Sequence, residues 1–256
     1  MKDFLKYHLL LLFILLFSFY TKAQDSALSA LLTKKQGCVQ IPYYVSTYGK
    51  LKPSTFYMPA LAIGYGVMAQ QKNRLNQFDR DIKNAVVPHD RTRKLPIDNY
   101  LQFAPGVITL GMTAAGVKGN QNLRDAAITY ALTNIILNAA VVPVKHYAHR
   151  LRPDSSAYTS FPSGHTTEAF ANAEFMRMQY GKKYPWLAVA GYAMAGTTGF
   201  LRMYNNKHWL SDVVAGAAIG FCSARLAGWA YTRLQPKLFP CKERSQGKIT
   251  SITPAF

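Results

Sequence analysis

The sequence contains few cysteines, three in 256 residues. Three thiols cannot build the disulfide framework of a small secreted domain, so the fold must rest on an apolar core, for which the chain is long enough. Cys38 and Cys241 lie near the two ends of the chain in polar, proline-flanked surroundings, and a bond between them is predicted. Cys222 lies in an apolar helical pattern, which is typical of a small buried residue.

Acidic residues are scarce as well: 12 stand against 30 lysines and arginines, which gives a formal net charge of +18. Such an excess indicates an anionic partner, and a nucleic acid, an acidic membrane surface and a small phosphate compound all satisfy it. A basic surface kept only for solubility is the alternative. The aromatic residues fall mostly within predicted helices, where packing is commoner than base stacking, so we expect no nucleic-acid partner.

Alternating β-branched residues are also rare, which favours an all-α fold. Helical patterns cover residues 56–87, 99–117, 126–144, 163–180, 186–201 and 207–231. In the first of these, Leu75, Phe78, Ile82 and Val86 recur at the spacing of an amphipathic helix. We therefore expect an antiparallel bundle of about six helices, with the active site at one end.

The first residues of the chain are predicted to be a secretory signal. They combine a basic start, an apolar run from Leu9 to Phe19 and small residues at the usual cleavage positions. An uncleaved membrane anchor is the alternative, although the run is short for spanning. The expected organisation is a signal at 1–23, a lead-in at 24–54, the helical domain at 55–232 and a basic tail at 233–256.

Four predicted helical segments contain no charged residue: 56–69, 99–117, 126–144 and 186–201. Their lengths are borderline for crossing a bilayer, and the mean hydropathy of −0.04 is low for a protein with many spans. Basic loops on both sides of these segments give no orientation. We expect an exported, periplasmic helical domain that rests on a membrane or is partly embedded in it.

The first of three polar clusters contains Lys145 and Arg152, seven residues apart and followed by Pro153. In a continuing helix both cations would lie on one face, and proline would end the helix beside them. Two cations with several donors suit the oxygens of a phosphate group. Solvated basic residues at a helix C-terminus are the alternative.

The second cluster is the run Pro162-Ser163-Gly164-His165, which reads as a turn into a helix with Ser163 as N-cap. A helix start presents free N–H groups to an anion, and Gly164 allows a ligand to approach the backbone. His165 could bind or protonate an oxygen. No strand or elbow motif surrounds Ser163, so a phosphate donor or a cap is favoured over a nucleophile.

The third cluster contains Arg202, His208 and Asp212. His208 and Asp212 are i and i+4 on a predicted helix, where the carboxylate can fix the imidazole tautomer and leave the other nitrogen free to attack. A structural hydrogen bond is the alternative for such a pair taken alone. In an antiparallel bundle the three clusters fall at helix ends that share one face, which predicts a single phosphate site.

The spacing Lys145-x6-Arg152-Pro153, then Pro162-Ser163-Gly164-His165, then Arg202-x5-His208-x3-Asp212 resembles the signature of the phosphatidic acid phosphatase type 2 and haloperoxidase superfamily. This superfamily includes membrane lipid phosphatases and secreted bacterial acid phosphatases. The resemblance implies that His208 forms a phosphohistidine, Asp212 orients it and His165 protonates the leaving group. It also implies a set of phosphate-binding residues: Lys145, Arg152, Ser163, Gly164 and Arg202.

One position departs from the pattern, because Leu201 stands where the family usually has a serine before the arginine. This puts a secondary contact in doubt and leaves the nucleophile unaffected. His146 and His149, at i and i+3, could ligate a metal ion, but no third ligand follows at suitable spacing. We expect no metal and no cofactor, since cationic side chains can stabilise the phosphate instead.

The sequence thus predicts a metal-independent phosphatase that acts on a phosphorylated lipid, such as lipid A, a polyprenyl pyrophosphate or a phosphatidate. Apolar helices beside the site and a basic protein attracted to an anionic membrane surface favour this substrate class. A soluble periplasmic acid phosphatase acting on small phosphate esters is the second hypothesis. A non-catalytic protein that binds anions or membrane surfaces is the third.

Overall fold

The computed structural model describes residues 51–87 and 95–239. Within these ranges all regular structure is helical and no strand occurs, which confirms the predicted all-α class. A 3-10 turn at Pro53–Phe56 precedes eight α-helices. These are α1 (Tyr57–Met68), α2 (Arg74–Val86), α3 (Asp98–Leu101), α4 (Ala104–Ala114), α5 (Leu123–Ala148), α6 (Gly164–Tyr180), α7 (Pro185–Tyr204) and α8 (Leu210–Leu238).

Two of the predicted helical segments are each divided into two helices. In the first, α1 ends before Ala69, and Asn73 caps α2 by accepting a hydrogen bond of 3.0 Å from the N–H of Asn76. In the second, α3 is a short turn before α4, which begins with Pro105 in its first turn, where proline is tolerated. The last helix is longer than predicted, since α8 continues past Tyr231 to Leu238.

Helix α6 forms the centre of the bundle, with 13 of its 17 residues buried. Its small buried residues Ala169, Ala171 and Ala173 allow the neighbouring helices α7 and α8 to pack closely. Glycines on α8 serve the same purpose: a Cβ at Gly216 would lie 2.8 Å from the carbonyl oxygen of Ser163. This close packing fixes the start of α6 against the start of α8.

One cluster of charged side chains within the bundle is paired. Glu174 on α6 accepts two hydrogen bonds of 2.6 Å from Arg177 and one of 2.6 Å from the hydroxyl of Tyr192, and Arg225 on α8 lies 3.6 Å away. These charged residues lower the apparent hydrophobicity of α6 and α8 in the sequence, although they are paired with one another in the structure. Their charges are therefore no argument against contact with lipid.

Several helices expose apolar side chains to the outside of the bundle. Met58 on α1 and Val189 on α7 are 76% and 71% exposed, and Val107 on α4 and Ile135 on α5 are also largely exposed. By length and composition, α5 and α8 are long and apolar enough to cross a membrane. The bundle thus presents an apolar outer surface that suits contact with a lipid phase.

The cysteine predictions have separate outcomes. Cys222 on α8 is half-buried, which differs from the expectation of a small buried residue. Cys38 and Cys241 lie outside the described residues.

Candidate active site

The ends of α5 and α7 and the starts of α6 and α8 meet at one end of the bundle. The ammonium group of Lys145, at the end of α5, donates hydrogen bonds of 2.6 and 3.0 Å to the carbonyls of Pro162 and Thr159. The N–H of Ser163 donates to the carbonyl of Asp212 over 3.1 Å, which joins α6 to α8. All three predicted clusters are therefore brought together.

The path of the chain after Lys145 differs from the prediction. Helix α5 ends at Ala148, and His149 adopts a left-handed conformation with φ of 41°. Arg152 therefore belongs to the following loop and not to a continuing helix, so the two-turn helical spacing from Lys145 does not exist. Two backbone bonds of 2.9 Å, Arg152 N–H to Ala157 and Ser155 N–H to Arg152, fold this loop tightly.

Arg152 still lies at the same end of the bundle as Lys145. Its Nη2 atom donates to the hydroxyl of Thr159 over 3.3 Å, and Lys145 binds the carbonyl of that residue. Asp154 in the same loop forms an ion pair of 2.5 Å with Lys207, beside the start of α8. Through Thr159, the loop thus holds Arg152 and Lys145 near one another, where a phosphate group could bridge the two cations.

The turn into α6 has the predicted N-cap, although its side chain bonds differently. Ser163 is the N-cap residue, and its hydroxyl shares a hydrogen bond of 2.8 Å with that of Thr166 without capping a backbone N–H. The N–H groups of the first turn, including that of Gly164, have no partner within the helix. A Cβ at Gly164 would lie 3.6 Å from Cε of Lys145, so the backbone of Gly164 and the side chain of Lys145 lie next to each other.

His165 lies in the first turn of α6 and contacts a residue that sequence reasoning missed. Its Nε2 atom lies 2.9 Å from Oδ1 of Asn99, at the start of the bundle's short helix α3. Since an amide oxygen only accepts, Nε2 carries the proton in this arrangement. Burial lowers the pKa of His165 to about 4, and the positive charge of Arg202 acts in the same direction.

Arg202 is held by a second missed residue. Its Nη1 atom donates to Oδ2 of Asp98 over 2.7 Å, and both side chains are buried. Asn205 contacts the same carboxylate over 3.3 Å. Leu201, the residue that departs from the family pattern, is buried at the end of α7.

His208 and Asp212 face each other at the start of α8. Nδ1 of His208 lies 3.6 Å from Oδ2 of Asp212, an ion-pair distance longer than a hydrogen bond, and makes no hydrogen bond within the described ranges. Burial lowers the pKa of His208 to about 4, and the carboxylate opposes this shift. The imidazole is therefore neutral near pH 7, with Nε2 directed away from the carboxylate.

Asp212 is itself surrounded by donors. It accepts hydrogen bonds of 2.5 Å from the hydroxyl of Ser160, 2.9 Å from the N–H of Trp209 and 2.6 Å from Nη1 of Arg150. The sequence prediction did not include Arg150, although it lies between Lys145 and Arg152. The assumption of a continuing helix concealed it, because the chain turns at His149.

The histidine pair considered for metal binding stays at the surface. The rings of His146 and His149 have centroids 6.1 Å apart. Among the residues that the structure describes, no group of three His, Cys, Asp or Glu side chains is arranged to hold a metal ion.

Chemically, this end of the bundle combines three cations with two imidazoles of lowered pKa. Lys145, Arg152 and Arg202 can bind the oxygens of an anion, and the turn into α6 adds backbone donors. A neutral imidazole backed by a carboxylate is a competent nucleophile, and a second imidazole can act as an acid or base. This arrangement is suited to transfer of a phosphoryl group.

Parts of the chain are similar to known proteins. The sequence model of the PAP2 superfamily matches residues 126–236, a range that contains all eight predicted site residues. A lipid A 1-phosphatase of Porphyromonas gingivalis is 41% identical over 134 residues, which are 52% of this chain and 30% of that protein. The bacitracin transport permease protein BcrC of Bacillus licheniformis is 29% identical over 102 residues, 35% of this chain and 48% of that protein. The chain thus spans less than half the length of either relative.

Two solved structures resemble the bundle. Aquifex aeolicus LpxE has 20% identity and a TM-score of 0.44, covering 59% of this chain and 92% of that one. A transmembrane PAP2-type phosphatidylglycerolphosphate phosphatase of Bacillus subtilis has 17% identity and a TM-score of 0.48, covering 73% of this chain and 100% of that one. The match to the PAP2 superfamily thus covers residues 126–236 of this chain.

Proposed function

We propose that this chain is a metal-independent phosphatase that removes phosphate from a lipid through a phosphohistidine on His208. The observation that carries the proposal is the buried pair of His208 and Asp212, with the imidazole neutral near pH 7 and Nδ1 turned towards the carboxylate. This orientation leaves Nε2 as the atom that attacks phosphorus. The positive charges of Arg202 and Lys145 contribute to the lowered pKa of His208. Both cations therefore lie near the imidazole, where the phosphate must bind.

In the first step, Nε2 of His208 forms a bond to phosphorus while the bond from phosphorus to the ester oxygen breaks. His165 gives its proton to that oxygen, which leaves as an alcohol. Lys145, Arg152 and Arg202 stabilise the negative charge on the three remaining phosphate oxygens, together with the backbone N–H groups after Ser163. A bound phosphate dianion raises the pKa of His165 towards the working pH, since an opposite charge favours the protonated form.

In the second step, a water molecule attacks phosphorus and breaks the bond to Nε2. His165, now neutral, accepts a proton from this water, and orthophosphate leaves. Asp212 stabilises the positive charge that His208 carries during both steps. His165 thus serves in both directions of proton transfer, and the cycle restores the starting protonation states.

The proposed substrate is a lipid phosphate, with the phosphate of lipid A favoured over polyprenyl pyrophosphate and phosphatidate. The exposed apolar residues of the bundle and the two helices long enough to cross a membrane support a membrane-associated enzyme. The P. gingivalis relative is by its name a lipid A 1-phosphatase, which supports this choice among lipids. We propose that the enzyme works on the exported, periplasmic side of the membrane, after removal of residues 1–23.

The test is phosphate release from lipid A, undecaprenyl pyrophosphate, dioctanoyl phosphatidate and p-nitrophenyl phosphate, each with and without EDTA. The wild-type protein should release phosphate from at least one lipid, with EDTA having no effect, and His208→Ala should abolish release. His146→Ala is the matched control, because this exposed histidine lies at the same end of the bundle. Quenching with alkali after reaction with a ³²P-labelled substrate should retain label on the wild-type protein but not on His208→Ala.

Other outcomes decide between the remaining hypotheses. Release from p-nitrophenyl phosphate alone, together with recovery in the osmotic-shock fraction, would favour a soluble acid phosphatase. No release from any substrate would favour a protein that only binds anions. Wild-type activity in His208→Ala would contradict the phosphohistidine mechanism.

A further inference from the structure

The carboxylate of Asp212 is held by a second buried ion pair behind the site. Arg150 donates from Nη1 to Oδ1 of Asp212 over 2.6 Å and from Nη2 to Oδ2 of Asp79 over 2.8 Å. The Arg150 side chain is 8% exposed, and neither carboxylate is exposed. One guanidinium therefore joins two buried carboxylates, one of which faces His208.

Asp79 is fixed by further donors from two other helices. Its carboxylate accepts hydrogen bonds from the hydroxyl and, over 3.1 Å, from the N–H of Ser211 on α8. The hydroxyl of Tyr65 on α1 donates to it over 3.2 Å. Ser211 also accepts from Nη1 of Arg150 over 2.7 Å. The network is thus closed, with each charged group bonded to at least two partners.

The ring of Trp209 covers this network on another side. The guanidinium of Arg150 lies 5.6 Å from the centroid of that ring, and the ammonium of Lys83 on α2 lies 5.3 Å from it. Lys83 also donates to the carbonyl of Pro153 over 2.9 Å. Helix α2 therefore makes two separate contacts with the site end of the bundle, although it lies outside the range matched by the PAP2 superfamily.

We infer that Asp79 and Arg150 form a positioning pair that fixes the carboxylate of Asp212 and, through it, the imidazole of His208. This inference rests on the proposed function. Neither residue touches the reacting phosphate; they act by keeping Oδ2 of Asp212 on the side of Nδ1 of His208. The geometry requires arginine, because a lysine ammonium cannot span both carboxylates in one plane.

The inference predicts a loss in turnover without an equal loss in substrate binding. Arg150→Lys and Asp79→Asn should lower kcat roughly tenfold to a hundredfold while KM changes by less than about threefold, since a misplaced nucleophile slows chemistry. The double variant should be no slower than about twice the slower single variant, because residues that act as one unit are not additive. Dioctanoyl phosphatidate in mixed micelles is the probe, provided the wild-type protein hydrolyses it, and otherwise the best substrate of the panel above.

Two exposed residues of α2 provide matched controls. Asp81→Asn and Arg80→Lys make the same chemical changes on the outer side of this helix, where their contacts are with Gln77 and Asn76. Both should keep wild-type kcat and KM. Size-exclusion elution in detergent reports folding for every variant. If Asp79→Asn or Arg150→Lys does not fold, Ser211→Ala decides, because it removes one contact to each member of the pair without changing a charge, and it should lower kcat with KM unchanged.

The outcomes separate this inference from the proposed function. One outcome would overturn the positioning role alone. In it the wild-type protein is active and His208→Ala is inactive, but Asp79→Asn and Arg150→Lys fold and keep the full kcat. A rise in KM with unchanged kcat, or losses that multiply in the double variant, would also overturn it. No turnover by the wild-type protein would overturn the proposed function and this inference with it.

Discussion

Arg202 donates a hydrogen bond of 2.7 Å from Nη1 to Oδ2 of Asp98, and the two side chains are 10% and 1% exposed. Nδ2 of Asn205 donates to the other carboxylate oxygen of Asp98 over 3.3 Å. The same amide group donates to the carbonyl of Leu95, and its oxygen accepts from the N–H of Leu95. The short helix α3 and the end of α7 are therefore fastened together beside the phosphate site. Asp98 fixes the rotamer of a cation that the proposed mechanism requires.

Asp98→Asn should lower kcat/KM about tenfold or more, because an arginine without its charged partner loses the orientation that suits a phosphate group. The amide keeps the size of the side chain and removes the charge, so the change tests electrostatics more than packing. Initial rates with dioctanoyl phosphatidate measure the effect. Asp81→Asn, on the exposed side of α2, is the control and should be unaffected. Equal kcat/KM in the two variants would contradict the role of Asp98.

Asn99→Asp should move the basic limb of the pH profile of kcat/KM upwards by about one unit or more, because a carboxylate near Nε2 favours protonated His165. In the wild-type protein burial lowers the pKa of His165, with Arg202, His208 and Lys145 acting in the same direction and Asp98 opposing. The maximal rate should fall, since the new carboxylate repels an anionic substrate. The measurement is the pH at which kcat/KM falls on the basic side of the profile, and the size of the rate does not enter the comparison.

Asn73→Asp is the control for this experiment. Asn73 caps α2 at an exposed position, and aspartate caps a helix as well as asparagine does. This variant adds the same charge and should leave the basic limb in place. A limb that stays fixed in Asn99→Asp would show that His165 is not the proton donor.

Sequence reasoning could find the three clusters because each has a local signature. Proline, glycine and histidine at helix ends, and the i and i+4 spacing of His208 and Asp212, are visible within a few residues. Asp98 and Asn99 have no such signature. They contact Arg202 and His165, which follow 104 and 66 positions later. A single polar residue whose partner is so distant in the chain cannot be recognised from its neighbours.

Helix α2 shows a second limit of sequence reasoning. Its apolar residues recur at helical spacing, which ordinarily indicates the face turned to the core. In the structure Phe78 is 48% exposed while Asp79 is 1% exposed. The ion pair of Asp79 with Arg150 turns the polar neighbour inwards. A buried charge network can thus place a carboxylate among the inward residues of a helix, and the hydrophobic pattern alone gives no sign of it.

Gly220→Ala should destabilise the protein severely, because a Cβ on this residue of α8 would overlap the carbonyl of Thr167 on α6. Neither backbone can move without disturbing the turn at Ser163, so activity should be lost together with stability. Gly196→Ala is the control, since a Cβ there meets nothing within 4 Å. That variant should keep its activity and gain up to about 1 kcal/mol from helix propensity. Thermal unfolding in detergent compares them, and equal midpoints would contradict the close packing of α6 and α8.

His208→Gln should make stability less sensitive to acid. The pKa of His208 falls from its usual 6.5 to about 4 on folding, because burial disfavours the charged imidazole. Between these two values the unfolded chain binds a proton that the folded protein does not bind. Stability therefore falls as the pH falls from about 6.5 to about 4, by about 3 kcal/mol for this residue.

The measurement is the unfolding midpoint in detergent at pH 7 and at pH 4.5. The wild-type protein should lose more on acidification than His208→Gln, whose side chain does not titrate. Part of the loss should persist in the variant, because His165 titrates over the same range. His146→Gln, a change at an exposed histidine, should behave like the wild-type protein. An equal loss in His208→Gln would mean that burial does not lower the pKa of His208 in the folded protein.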